Sequence, residues 1–414
     1  MSRYSPAAKF PLEIYGRIME EVRQWDDKFL EEQTLCRLSR VSKSWRPEAL
    51  RSLWRKVTIN NADPEKGIHT GRHRTISMIS VIVAKGYSQH IRVLEIDLDV
   101  SRYCEKSKYE TEGFPLEDKI INILCTAVNV QELSISNRID SLESNEMLEF
   151  LYRCRFPHLR SLALSPRIVT VWHSWPTGDP LIQFLANHSG ITEVSLHAMD
   201  EYPIDLTGNH PRILLNLKKY EGRPKDAKLL KGSATLQDVK LLVCPMDEED
   251  YEGAHEKLIR DLKLIDGPFP SVHRLEFTAD CGPYLDKDLL SEINRCFPNL
   301  RHLEGLAISP ELVKFIRSSN GSPNIKSPLP RLESLLFTAN EEERLHDDDN
   351  EVEEAMEKLP RLFSNLQSAC RFTDYLWGRT KEPPDHLFLS FDDRGYVQTK
   401  VKKPFHVPEE SIPV

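Results

Sequence analysis

Apolar residues recur along most of this chain as a triplet of the form x-x-L-x-L. The copies are Ile91/Leu94/Ile96, Val130/Leu133/Ile135, Leu159/Leu162/Leu164, Ile191/Val194/Leu196, Leu236/Val239/Leu241, Val272/Leu275/Phe277 and Leu332/Leu335/Phe337. Leu300/Leu303/Leu306 fits with one extra residue, and Leu217/Tyr220 fits poorly. The last two members of most triplets alternate with polar residues, with Ala163 and Leu336 as exceptions, the period of a half-buried strand. Between the triplets, stretches such as "EDKIINILCTAV", "SNEMLEFLYRC", "PLIQFLANH", "HEKLIRDLKLI" and "KDLLSEINRC" have the apolar spacing of helices.

Each unit therefore reads helix, short loop, strand. Three lead-ins, "RCRFPHLRSLAL", "DGPFPSVHRLEF" and "RCFPNLRHLEGL", share Phe-Pro ahead of the strand, which places Cys154 and Cys296 as small buried spacers rather than reactive thiols. A unit of this kind cannot cover both of its faces alone, so units stack, with parallel strands on the concave side and helices on the convex side. The expected fold class is α/β, an irregular solenoid over 61–340. Beyond it, "NEEERLHDDDNEVEE" is expected as an exposed acidic loop within a 341–414 segment that adds a helix. "HLFLSFDDRGYVQTKV" then alternates around a turn at Asp392–Gly395, a hairpin suited to shield the last strand edge, and "KKPFHVPEESIPV" is expected as a loose tail.

The first sixty residues follow a different period. Pro11 suits a first helical position, and Ile14, Ile18 and Val22 follow on one stripe. After the charged stretch "WDDKFLEEQ", Thr34 is a candidate cap for a second helix with Leu35, Leu38 and Val41 inward; a third sets Trp45, Ala49 and Leu53 on one face, with Pro47 in its first turn. Three short helices bury little by themselves. Either the rest of this chain covers them or a second polypeptide does.

These residues resemble two known families. Phe10-Pro11-Leu12-Glu13-Ile14, Val41-Ser42-Lys43-Ser44-Trp45 and Leu53-Trp54-Arg55-Lys56-Val57 match, in order, the three landmarks of an F-box, with Phe10 for leucine, Ser42 for cysteine and extra residues around "RQWDDKFLEE". The triplets resemble leucine-rich repeats, at intervals mostly of about 26 to 39 residues, shorter after Leu217, against roughly 20–29 in the regular classes, and with the asparagine ladder of the strict motif mostly missing. The F-box resemblance, over 8–60, implies binding to the SKP-family adaptor of cullin–RING ubiquitin ligases through Pro11, Ile14, Ile18, Leu35, Leu38, Val41 and Trp45. Trp54 is expected to plug the join to the next domain. Together the resemblances imply a non-catalytic substrate receptor of an SCF-type ligase that holds a target protein on its repeats; the alternative is a repeat scaffold or regulator without ubiquitin transfer.

Composition narrows the partners. Hydrophobic residues make up 40% and charged residues 29%, as in folded soluble proteins, and the formal charge of -9 argues against a nucleic-acid binder. No apolar run approaches a membrane span and the first residues lack a signal-peptide core, so the cytosol or nucleus is expected, with the eight dispersed cysteines reduced. The phosphate-loop, dinucleotide, zinc-protease and serine-hydrolase motifs are missing, and no cofactor is expected. His69 and His73 stand four apart, but Gly71 and the lack of further ligands point to an unliganded loop rather than a metal site. For the target, the strand side chains Glu95, Asp97, His197 and Glu276 are candidates on a concave face acidic toward its ends. Trp172 and Trp175 in "VWHSWPTGDP" either serve recognition or tuck under a neighbouring loop.

Overall fold

The computed structural model describes residues 11–25, 27–60, 68–98, 115–137, 151, 153–164, 180–196, 213–243, 251–278, 283–318, 328–338, 349–372 and 385–404. The chain forms two compact units, 1–191 and 192–414.

The first unit opens with helices α1 (Leu12–Arg23), α2 (Lys28–Val41) and α3 (Arg46–Leu53). Pro11 precedes α1 and its carbonyl accepts the Ile14 amide at 3.0 Å. The second helix begins earlier than expected, because the Asp27 carboxylate accepts the Leu30 N–H at 3.0 Å and caps it, leaving Thr34 in mid-helix. Most of the charged stretch expected as a connection is thus the first turns of α2. Pro47 sits in the first turn of α3, as anticipated.

Strand β1 (Lys56–Asn60) follows directly and pairs in parallel with β2 (Val93–Leu98), then β3 (Glu132–Asn137) and β4 (Ser161–Leu164). The expected boundary at residue 60 therefore falls at the end of the first strand of a continuous sheet. Helices α4 (Ile68–Ala84), α5 (Pro115–Thr126) and α6 (Pro180–Asn187) occupy the intervals. Gly71 lies within α4, so His69 and His73 are helical rather than in the expected loop; one interior glycine costs about 1 kcal/mol, which a 17-residue helix absorbs.

The second unit continues the pattern with β5 (Glu193–Leu196), β6 (Lys219–Gly222), β7 (Asp238–Leu242), β8 (Arg274–Thr278), β10 (His302–Ile308), β11 (Ser334–Thr338) and β12 (Ser368–Phe372), successive neighbours pairing in parallel. Its described helices are α7 (Tyr251–Lys263), α8 (Lys287–Cys296), α9 (Pro310–Ser318) and α10 (Asp349–Glu357). The poorly fitting copy is a true repeat: Leu217 and Tyr220 are buried, and the Tyr220 ring fills the space that a third apolar side chain would need beside Gly222. The extra residue in "LRHLEGL" is Gly305, at φ +82°, where a Cβ would lie 1.8 Å from the Phe277 carbonyl oxygen. Only glycine allows the resulting bulge, beyond which β10 pairs with the short β9 (Tyr284–Leu285).

One further repeat escaped the sequence pattern. In β12 the buried positions are Ala369 and Arg371, neither of which reads as a core residue. The second half of the expected acidic loop is α10, whose Val352, Ala355 and Met356 are fully buried; 339–348 lie outside the described residues. The hairpin forms as expected, β13 (Asp385–Phe391) pairing antiparallel with β12 and with β14 (Val397–Pro404). Lys402 to Pro404 belong to β14 rather than to a tail. Lys400 pairs with Glu353 and Glu357, fastening the hairpin to α10.

A repeated backbone device aligns the strands. The residue just before a strand offers its carbonyl to two successive amides of the next repeat: Arg55 to Arg92 and Val93, Arg92 to Gln131 and Glu132, Gln131 to Arg160 and Ser161. In the second unit Lys218, Gln237, His273, Arg301 and Glu333 do the same. A side-chain ladder runs beside it. The residue preceding the first apolar position donates to the equivalent loop of the previous repeat: Asn129 to the Gln89 carbonyl, Thr235 to Leu215, Ser271 to Ala234, Asn299 to Pro270 and Asn365 to Pro330. The polar ladder is therefore present. It lies ahead of the strand and is built from three residue types, which hid it from a search for asparagine after the strand.

The shared phenylalanines are explained by the same turn. Phe156, Phe269 and Phe297 are buried, and the carbonyl of each accepts the amide of the first apolar residue of its triplet. His188 takes this place in the next repeat, stacked on Phe156 and against Phe184. Its Nδ1–H donates to the Phe184 carbonyl at 2.6 Å and its Nε2 accepts the Phe156 N–H at 3.0 Å, a pattern that requires the neutral ring. Cys154 and Cys296 are buried as expected, and burial pushes their thiols up to about 12 and about 11.

Two outcomes follow. Asn299→Ala removes one rung and leaves the Pro270 carbonyl to water, so unfolding in urea should show a loss of about 1 kcal/mol. Burial, reinforced by Arg155, lowers the His188 pKa against the opposing Phe184 hydrogen bond. The unfolded chain then binds the proton more readily, so the stability contributed by neutral His188 is complete above about pH 6.5 and declines as pH falls below it. The urea midpoint of the native protein should drop over that range more steeply than that of His188→Gln.

Candidate functional site

Helix α1 carries two apolar stripes. Tyr15, Met19 and Val22 point inward, and Met19 and Val22 form a core with Leu35 and Ala49, against which Leu38, Trp45 and Leu53 pack. Tyr15 meets Trp45 edge to face at 4.7 Å between ring centres. Ile14 and Ile18 lie on the flank, 39% and 36% exposed, and Val41 at the end of α2 is 65% exposed. The helices thus close a core of their own and still leave large aliphatic side chains in water.

The residues expected to face an adaptor divide accordingly. Pro11, Ile14, Ile18 and Val41 are exposed. Leu35 is not: at 1% exposure it belongs to the core with Met19, Val22 and Ala49, the inward place its helical spacing gives it, whereas Val41, expected inward on the same spacing, ends α2 in water. Leu38 and Trp45 are half-buried; Trp45 spends one edge on Tyr15, so it is as much a core residue as a surface anchor. Sequence reasoning passed over Trp25 and Leu30, 47% and 50% exposed at the turn between α1 and α2. Their size inside a charged stretch was the available signal.

The join to the sheet is tight. Trp54 stacks on Tyr87 at 5.6 Å with 16° between the ring planes, filling the place expected of it. The Arg55 guanidinium reaches Glu20 of α1 at 2.8 Å while its carbonyl holds the start of β2. No flexible linker separates α3 from β1.

On the strand face away from the buried triplets, side chains stand in register. In the first unit Thr58, Glu95, Ser134 and Ala163 form one row. Glu95 is engaged by Lys56 at 2.7 Å and by the Thr58 hydroxyl at 2.8 Å; Asp97 stands in register between Asn60 and Ser136. In the second unit the row runs Ser195, Glu221, Lys240, Glu276, Glu304, Leu336 and Cys370. Lys240 bridges Glu221 at 3.2 Å and Glu276 at 3.4 Å, and Arg274 reaches Glu304 at 3.0 Å. Burial pulls the Lys240 ammonium down, but the two carboxylates outweigh it and hold its pKa above the ordinary range. Glu221, Lys240 and Glu304 were legible from the same alternation that gave Glu276. Trp172, Trp175 and His197 lie outside the described residues. Among the described residues no group of three or more histidine, cysteine or acidic side chains is arranged to hold a metal ion, and no helix is long and apolar enough to cross a membrane.

Comparison with known proteins bears on this arrangement. Residues 11–60 match the family described as F-box-like, which spans the three helices and β1. No curated protein matches the chain. Among solved structures it is similar to the leucine-rich repeat-containing protein LegL7 from Legionella pneumophila, with a TM-score of 0.41 and 13% identity over 76% of this chain and 90% of that one. The segment that matches the F-box-like family ends in β1, the first of a series of parallel strands alternating with helices.

The split between core and flank is measurable. Trp45→Ala should destabilise the three helices by about 2–4 kcal/mol, read as faster amide exchange in α1 and α3. Ile18→Asp should change the same exchange by less than about 0.5 kcal/mol, because its side chain already meets water.

Proposed function

We propose that this protein is a substrate receptor of an SCF-type cullin–RING ubiquitin ligase, docking to the SKP-family adaptor through α1 and α2 and holding a target protein on its repeats. The observation that carries this reading is the exposed flank of Ile14, Ile18 and Val41 on an F-box-like segment whose own core closes without them. Aliphatic side chains in that position gain roughly 1.5–3 kcal/mol each on full burial, and a partner supplies it. The exposed bases Arg37, Arg40, Lys43 and Arg46 on α2 and around the start of α3 favour an acidic partner surface beside Val41.

The mechanism is tethering. With α3 running straight into β1 and Trp54 locked on Tyr87, a target bound to the strand face of the first unit keeps a fixed distance from the adaptor, which raises its effective concentration at the ligase. This chain supplies position, and bond chemistry falls to the conjugating enzyme. The strand face suits a protein segment with charges of both signs, since Lys240 with Glu221 and Glu276, and Arg274 with Glu304, already pair across strands and can exchange partners. Cytosol or nucleus is the compartment this role requires.

The test is capture of the purified adaptor by the full chain. Native protein should bind it, and Ile14→Asp with Ile18→Asp should lose at least a hundredfold in affinity with the fold intact. Unchanged binding by that variant refutes the docking face. Adaptor binding in a reconstituted ligase under which no cellular protein is ubiquitinated favours a scaffold or regulator instead.

A further inference from the structure

The residues between the first two helices are where this chain departs from the F-box pattern, and the structure gives them a definite form. Asp27 caps α2 and carries the helix back toward α1, so that only residues 24–27 separate the two. The Trp25 amide bonds to the Val22 carbonyl at 3.3 Å and the Gln24 amide to Glu21 at 3.2 Å, which continues the helical winding past the end of α1. Trp25 therefore follows Ile14 by eleven residues and Ile18 by seven, spacings that place it on the same flank. Leu30 precedes Val41 by eleven residues, three turns, and shares its side of α2.

The two helices share the core of Met19, Val22 and Leu35, and Arg23 pairs with Glu31 at 3.7 Å across the turn that joins them. Trp25 and Leu30 flank that turn. Five large apolar side chains, Ile14, Ile18, Trp25, Leu30 and Val41, are thus left exposed on the two helices and the turn between them. The charges around it are not uniform: exposed Glu21, Asp27 and Glu32 surround the Trp25 end, whereas Arg37, Arg40 and Lys43 surround the Val41 end.

We infer that Trp25 and Leu30 extend the adaptor-docking surface of this chain beyond the ordinary F-box face, and that the occupant is the same SKP-family adaptor, presenting an apolar patch with basic groups toward Trp25 and acidic groups toward Val41. This rests on the docking reading above. What favours one continuous occupant is the continuity of the stripes with Ile18 and Val41 and the opposed charge at the two ends, which fixes one orientation. A half-exposed tryptophan at the edge of such a face is well placed to be an energetic anchor.

The experiment measures the adaptor Kd by calorimetry for full-length native protein, Trp25→Ala with Leu30→Ser, Trp25→Phe with Leu30→Met, and Ile18→Asp. The small, polar pair should weaken binding at least tenfold, and the conservative pair should stay within threefold of native. Amide exchange of α1 and α2 should be unchanged in both, which separates lost contact from lost fold. Native affinity in Trp25→Ala/Leu30→Ser while Ile18→Asp loses binding overturns the extension and leaves the docking face standing. Native affinity in Ile18→Asp as well overturns the docking face itself. Equal loss in the small and the conservative pair also overturns the inference, since apolar contact at that edge would then not be what the adaptor reads.

Discussion

A strand of four to six residues followed by a helix cannot satisfy its own backbone, and within each unit of this protein the shortfall is met by the carbonyl that precedes the neighbouring strand. That one oxygen receives two amides, using both of its lone pairs, and so fixes where the next strand begins. Register follows from this point: once Arg55 holds Arg92 and Val93, Thr58 stands opposite Glu95, and the apolar triplet is turned toward the helices. The side-chain donors Asn129, Thr235, Ser271, Asn299 and Asn365 repeat the same link two residues earlier in the loop. Interval length can vary widely under such a constraint, because the loops and helices are free as long as the lead-in and strand arrive in place.

The same constraint sets the relation between the N-terminal helices and the sheet. Because Arg55 provides the first of these carbonyls, the last residues of the F-box-like segment are also the first residues of the repeat stack. The three helices and the first strands are thus one continuous piece of structure in the first unit. Trp54 on Tyr87 fills the corner, and the Arg55 to Glu20 pair, largely in water, adds orientation more than stability.

The polar strand face is organised by cross-strand charge pairing. A row in which Lys240 sits between Glu221 and Glu276 has its charges largely compensated within the row and carries little net field. Toward Leu336 and Cys370 the row becomes apolar, and the face changes character along its length. Burial pushes the Cys370 thiol up to about 11, which keeps it a packing residue.

Period alone disclosed the repeats, the three helices and the closing hairpin, because a triplet with two alternating positions has no other way to hide its apolar atoms and because Asp392–Gly395 punctuates two alternating runs. It missed the copy at Ala369 and Arg371, where the residue types disguise a buried position. It put Ile14 and Ile18 on one stripe with Val22 and turned Val41 inward beside Leu35, whereas Ile14, Ile18 and Val41 are exposed and Val22 and Leu35 are buried. Those were decided by the fold: only the assembled core shows which stripe of α1 and which end of α2 remain uncovered. Sequence specifies which side chains must leave water, since that depends on their own chemistry. Which of them succeed within the chain depends on neighbours far along it, and that is settled only when the helices and strands have packed.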